Sequence, residues 1–125
     1  MNNETCTCRG AKNYKIKCPL VHEFQIIGKK WSVPILTEIN KNRTIKFSEI
    51  RKSLNPITSK MLAKRLKELE NNMLVEKRIT KHNKKISTDY MLTAKGNDLI
   101  NYLFAFRDYS IKWADSKDCR IISQR

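Results

Sequence analysis

Apolar positions along this chain fall into short periodic blocks separated by polar breaks. Residues 1–17 show no amphipathic period and are polar, basic and rich in Asn, Thr and Lys, as expected of a flexible arm. A first helix is expected from Cys18-Pro19, since proline is already shaped for the first helical position. Leu20, Val21, Phe24 and Ile27 recur along it at helical spacing, and Gly28 can end it. A second helix is expected over 32–40, with Ser32 as its cap and an apolar stripe of Ile35, Leu36 and Ile39. A short third helix is expected over 48–54 with Ser48 as its cap, stopped by Asn55-Pro56. The fourth is expected over 58–72. Thr58 or Ser59 caps it, Leu62, Leu66 and Leu69 form a strip at i, i+4 and i+7, and Asn71-Asn72 ends it.

The period then changes. "LVEKRIT" and "STDYMLT", joined by "KHNKKI", predict a β-hairpin with a basic tip. A last helix is expected from a Thr93 cap to about Asp115. One of its stripes, Leu99, Leu103, Phe106 and Trp113, is expected to pack on the domain. A second, Ile100, Phe104 and Ile111, falls on another side, and Tyr102, Ala105 and Tyr109 fill part of the gap. One small domain cannot bury a helix that is apolar most of the way round, which points to a two-fold partner covering this helix, with the first helix at the edge.

Charge changes the picture from fold to partner. The 125 residues carry 26 Lys+Arg against 12 Asp+Glu, a formal net charge of +14. Residues 41–67 contain nine basic side chains and one acid, Glu49, and residues 77–85 add five basic residues and no acid. From Ile86 onward the balance is close to neutral. Such a field, confined to the middle of the chain, serves a polyanion better than it serves stability. Nucleic acid is the first candidate and an anionic membrane surface the second. No stretch approaches the ~20 apolar residues of a membrane span, and the first twenty residues lack the apolar core of a secretory signal. A cytoplasmic protein is expected.

Three helices, a basic helix and a basic hairpin follow the order of a winged helix–turn–helix, a mainly α fold with a small β-hairpin wing (α+β). A helix fits the major groove of DNA, and side chains near its N-terminus reach base edges. There stand Thr58, Ser59, Lys60, Ala63 and Lys64, followed by Arg65 and Lys67. The hairpin tip carries His82, Lys84 and Lys85, placed to meet phosphates or a neighbouring minor groove. A lysine-rich helix face is often only a solvated face, and the alternative is a non-specific architectural protein that binds DNA by charge alone. The coincidence of helix order, basic wing and confined charge favours specific double-stranded DNA binding.

The segments "CPL…IIGKKWSVPIL", "IKFSEIRKSL", "ITSKMLAKRLKELENNMLVEKR" and "TDYMLTAKGNDL" resemble the HxlR family of winged helix–turn–helix transcription regulators. The resemblance covers roughly Cys18 to Trp113. It implies a domain over 18–116 with N- and C-terminal helices for dimerisation, a flexible basic arm over 1–17 and a tail over 117–125. It also implies a homodimer on a roughly palindromic operator, with Thr58, Ser59, Lys60, Lys64 and Arg65 where the recognition helix meets DNA. The wing departs from the commoner pattern, having "HNKKIST" where Pro and Arg are frequent.

No Gly-rich phosphate loop, paired carboxylates or Ser/His/Asp arrangement emerges, so neither catalysis nor a cofactor is expected. Trp31 and Tyr90 are expected to be structural, and His22 and His82 to lie on the surface. Cys18 precedes a helix N-terminus and follows Lys15 and Lys17, a field that favours thiolate. The family resemblance implies a candidate sensor of oxidants or electrophiles there, and hence an oxidant or small-molecule effector. The bland reading is a Cys that only caps or packs. Cys6, Cys8, Cys18 and His22 could supply four soft metal ligands, but C-x-C is not the usual C-x₂-C knuckle, and no metal is assigned. Cys119 is expected to be free.

Overall fold

In the computed structural model, residues 19–114 are described, and they fold in the order α1 (Pro19–Ile27), α2 (Ser32–Asn42), β1 (Thr44–Lys46), α3 (Phe47–Ser53), α4 (Ser59–Asn71), β2 (Val75–His82), β3 (Lys85–Leu92) and α5 (Ala94–Ala114). The chain is mostly helical with a small antiparallel sheet, strand order β1-β3-β2. The arm over 1–17, Cys6, Cys8, Cys18, the tail over 117–125 and Cys119 lie outside the described residues.

The sheet holds one element that its sequence does not announce. β1 pairs antiparallel with β3, setting Ile45 opposite Tyr90, and both side chains enter the core. The hairpin strands are also longer than expected. Only Asn83 and Lys84 form the turn, with φ of 47° and 66°, the double left-handed geometry whose twist matches two antiparallel strands. The six residues assigned to the connection are therefore mostly strand.

α2 is the central post. Its Ile35, Leu36 and Ile39 have no exposed surface and meet Ile50 of α3, Leu62, Leu66 and Leu69 of α4, Leu74, Val75 and Ile100 of α5 in one core. Each such leucine or isoleucine excludes enough water that truncation to alanine costs about 2–5 kcal/mol.

Two caps differ from expectation. Ser32 does not cap α2; it is the first helical residue and is buried. Trp31 occupies the cap position in a left-handed conformation, φ 80°, with no side-chain cap bond. Trp31 is partly buried against the core, and its indole lies 5.5 Å from the Lys30 ammonium. α3 opens at Phe47, one residue before Ser48, because the Lys46 N–H donates to the Glu49 carboxylate at 3.3 Å. Elsewhere the caps are as read. Thr58 Oγ1 accepts the Met61 N–H at 3.1 Å to start α4. Thr93 Oγ1 accepts the Gly96 N–H at 3.0 Å and donates to the Met73 carbonyl, fastening α5 to the end of α4.

The faces of α5 are reversed in part. Ile100 is buried and Phe104 is packed on the core with Leu99 and Leu103, whereas Phe106 and Trp113, expected to face the domain, are 59% and 58% exposed. Gly96 sets the inward side: a Cβ there would overlap the Leu74 carbonyl. α1 behaves similarly. Ile26 is its buried residue, while Leu20 and Phe24 face out. Together with Ile27, Leu99, Tyr102, Leu103 and Phe106 they line an apolar groove of about 660 Å³ between α1 and α5.

Candidate nucleic-acid interface

The three leucines of α4 decide where its charges stand. With Leu62, Leu66 and Leu69 turned into the core, positions 60, 64 and 67 point away from it and 63 lies on the flank, while Ser59 is open because it is the first residue of the helix. Ser59, Lys60, Ala63, Lys64 and Lys67 are exposed, and no ion pair holds any of these lysines among the described residues. Thr58 is exposed at the same end. Its oxygen accepts the capping bond, which leaves its hydroxyl hydrogen to donate.

Arg65 is placed differently from its expected companions. Its Nε donates to the Lys30 carbonyl at 2.9 Å and its Nη1 to Glu68 at 3.0 Å, and the side chain is 12% exposed. It is held against the corner between α1 and α2 instead of standing in solvent with Lys64 and Lys67. Lys29 reaches Glu68 from that corner at 3.3 Å. Partial desolvation of Glu68 acts to raise its pKa, but the Lys29 hydrogen bond and the nearby positive charge of Arg65 outweigh it, holding the carboxyl below its ordinary value.

Beside the start of α4 lies a surface that the sequence reading did not single out. Ser48, Arg51 and Lys52 of α3 join Asn55, Thr58 and Ser59 around an open hollow of about 570 Å³. Arg51 and Lys52 are exposed and enter no ion pair among the described residues. Their signal was available in the run of nine basic residues over 41–67, which is not confined to α4. The turn into α4 passes through a cis Asn55-Pro56 bond.

The hairpin forms the other charged element. His82, Lys84 and Lys85 are exposed at its tip, where His82 pairs with Lys85 across the turn, and Lys77 and Lys81 follow along β2. Tyr90, at the root, is buried in the core, and its hydroxyl pKa is raised by that burial and by the charge of Glu70. Among the described residues no group of three or more His, Cys, Asp or Glu could hold a metal ion, and no helix is long and apolar enough to cross a membrane.

Residues 26–118 match the HxlR-like helix-turn-helix family. The chain belongs to this family. Over 83 residues it is 35% identical to the HTH-type transcriptional regulator YodB of Bacillus subtilis (strain 168), covering 66% of this chain and 72% of that protein. The structure of the reduced form of YodB from B. subtilis superposes with a TM-score of 0.71 at 30% identity, over 81% of this chain and 98% of that one. Quinone-bound YodB superposes with a TM-score of 0.64 at 31% identity, over 76% of this chain and 99% of that one. Like these HxlR-type proteins, the chain is a helix-turn-helix transcriptional regulator and not an enzyme.

Proposed function

We propose that this regulator acts in the cytoplasm as a homodimer that reads a roughly palindromic operator. α4 lies in the major groove with Thr58, Ser59, Lys60 and Lys64 toward base edges, and Lys67 toward the backbone. His82, Lys84 and Lys85 of the hairpin meet neighbouring phosphates. One observation carries this: Lys60, Lys64 and Lys67, in no ion pair among the described residues, stand opposite three fully buried leucines, with the short donors Thr58 and Ser59 open at the helix start, so the core sets which side of α4 faces out. Two copies related by a two-fold axis set two such helices one DNA turn apart, ~34 Å.

Fluorescence-anisotropy titration against the promoter beside its own gene and against random duplex tests it. Operator affinity should exceed random affinity by ~10³-fold or more at physiological salt. Equal affinity would instead assign a non-specific architectural binder.

We further propose that the operator affinity responds to oxidants or electrophiles through Cys18. Cys18 directly precedes Pro19 of α1, and the related YodB is known in reduced and quinone-bound forms. A quinone should change operator affinity in the wild type and not in Cys18→Ser; an unchanged response in that variant removes Cys18 from the mechanism.

A further inference from the structure

Leu62, Leu66 and Leu69 turn one face of α4 into the core and so set which side faces out, but apolar attraction is non-directional and leaves the finer angle of the helix about its axis to other contacts. Charged hydrogen bonds are directional. α4 carries such a set on one flank, gripped from a different element. Arg65 Nε donates to the Lys30 carbonyl at 2.9 Å, its Nη1 reaches Glu68 Oε2 at 3.0 Å, and Lys29 Nζ lies 3.3 Å from Glu68 Oε1. Both carboxylate oxygens are therefore engaged. Asn72 Nδ2 donates to the Glu68 carbonyl at 2.7 Å, securing the same residue's backbone. Lys29 and Lys30 lie in the corner between α1 and α2, just before Trp31 with its left-handed φ of 80°.

Resting on the assignment of α4 as the recognition helix, we propose that Arg65 and Glu68, clamped by Lys29 and the Lys30 carbonyl, are positioning residues that set the rotation of α4 and thereby its discrimination between operator and other DNA. Lys64 stands next to Arg65 in the chain, about 100° round the helix. A rotation that releases Arg65 swings Lys60 and Lys64 off their base edges while leaving their charges near the phosphates. The clamp thus governs sequence choice and leaves non-specific attraction alone. It also links α4 to the corner that continues α1.

The test uses full-length Lys29→Met, Arg65→Gln and Arg65→Lys. Lys29 is half exposed, so Lys29→Met should fold even where loss of the mostly buried arginine is harmful. Lys29→Met and Arg65→Gln should each lower the operator-to-random affinity ratio about tenfold, the scale of one misaligned base contact. Random-duplex affinity and its salt slope should be unchanged. Arg65→Lys can satisfy Glu68 or the carbonyl but not both, and should fall between. An unchanged ratio overturns the clamp. So does a parallel loss on both DNAs with the salt slope reduced by about 0.9, which would make Arg65 or Lys29 a phosphate contact. If the wild type itself fails to discriminate, the operator assignment falls and the clamp is judged on the free protein. Amide hydrogen exchange along 59–71 should then quicken in Arg65→Gln and Lys29→Met, and unchanged exchange overturns it.

Discussion

α4 and α5 dispose of their apolar residues in opposite ways. In α4, Leu62, Leu66 and Leu69 are no more than 1% exposed, Met61 packs beside them, and the exposed surface is polar except for Ala63. In α5, over 21 residues, only Gly96 and Ile100 are fully buried, and Tyr102, Phe106, Tyr109, Ile111 and Trp113 are each more than half exposed. A helix whose apolar stripe is wholly absorbed by its own domain can turn charge toward a polyanion. A helix left with a surplus of exposed aromatics is suited to a second apolar surface. On the proposed function, the α4 face serves DNA and the exposed α5 face serves a second copy of the chain.

The largest expected effect breaks the comparison at its apolar end. Tyr102, Phe106, Tyr109 and Trp113 follow one another at spacings of four, three and four, the repeat of a helix–helix seam. Phe106 lies where that seam meets the α1 groove. Phe106→Glu should weaken dimerisation by at least about 2 kcal/mol, the scale of a central aromatic anchor. Sedimentation at micromolar concentration checks this, and a variant as dimeric as the wild type would sink the interface assignment. Phe104 is the wrong probe: it packs on the core, with Arg107 over its ring at 4.8 Å, so its loss would confuse folding with assembly.

At the polar end, Lys60→Ala or Lys64→Ala should cost operator binding about 1–2 kcal/mol more than random binding. Lys84→Ala at the hairpin tip should have a smaller and uniform effect, weakening both DNAs alike and lowering the salt slope by about 0.9. Titrations at several salt concentrations separate the two. If Lys84→Ala erased discrimination while sparing non-specific binding, the division between α4 and hairpin would be reversed.

Much of this contrast is legible in the sequence, and the parts that are not have physical reasons. The α4 strip is legible because three leucines at i, i+4 and i+7 admit one inward face. α5 is ambiguous because apolar residues surround it; the deciding residue is Gly96, whose missing side chain allows close approach to Leu74 and so points Ile100 and Phe104 inward. β1 is too short to show a period, with a single buried residue, Ile45, between two exposed ones. Ser32 and Ser48 look like caps, but the cap positions fall earlier, at Trp31 with its left-handed backbone and at Lys46, whose N–H donates to Glu49. Arg65 reads as one more cation in a basic run. Only the folded corner at Lys29 and Lys30 distinguishes it from Lys64 and Lys67.

The smallest expected effect lies on the inner flank of α4, where a charge serves the fold. Glu68, held below its ordinary carboxyl pKa of 4.5 by Lys29 and Arg65 despite partial desolvation, binds protons less readily folded than unfolded. Between the two values the unfolded chain carries more protons, so stability contributed by this pairing rises with pH there. It is fully present above the unfolded value and is lost as pH falls through the lower folded one. Urea unfolding of the wild type and Glu68→Gln across an acid series should show a gap that is constant near neutrality and closes below pH 4.5. The other carboxylates titrate in both proteins and cancel in the difference. With the Glu68 carboxylate about a quarter exposed, the gap should be modest. A gap that stayed constant into strong acid, or widened there, would show that Glu68 holds α4 through something other than its charge.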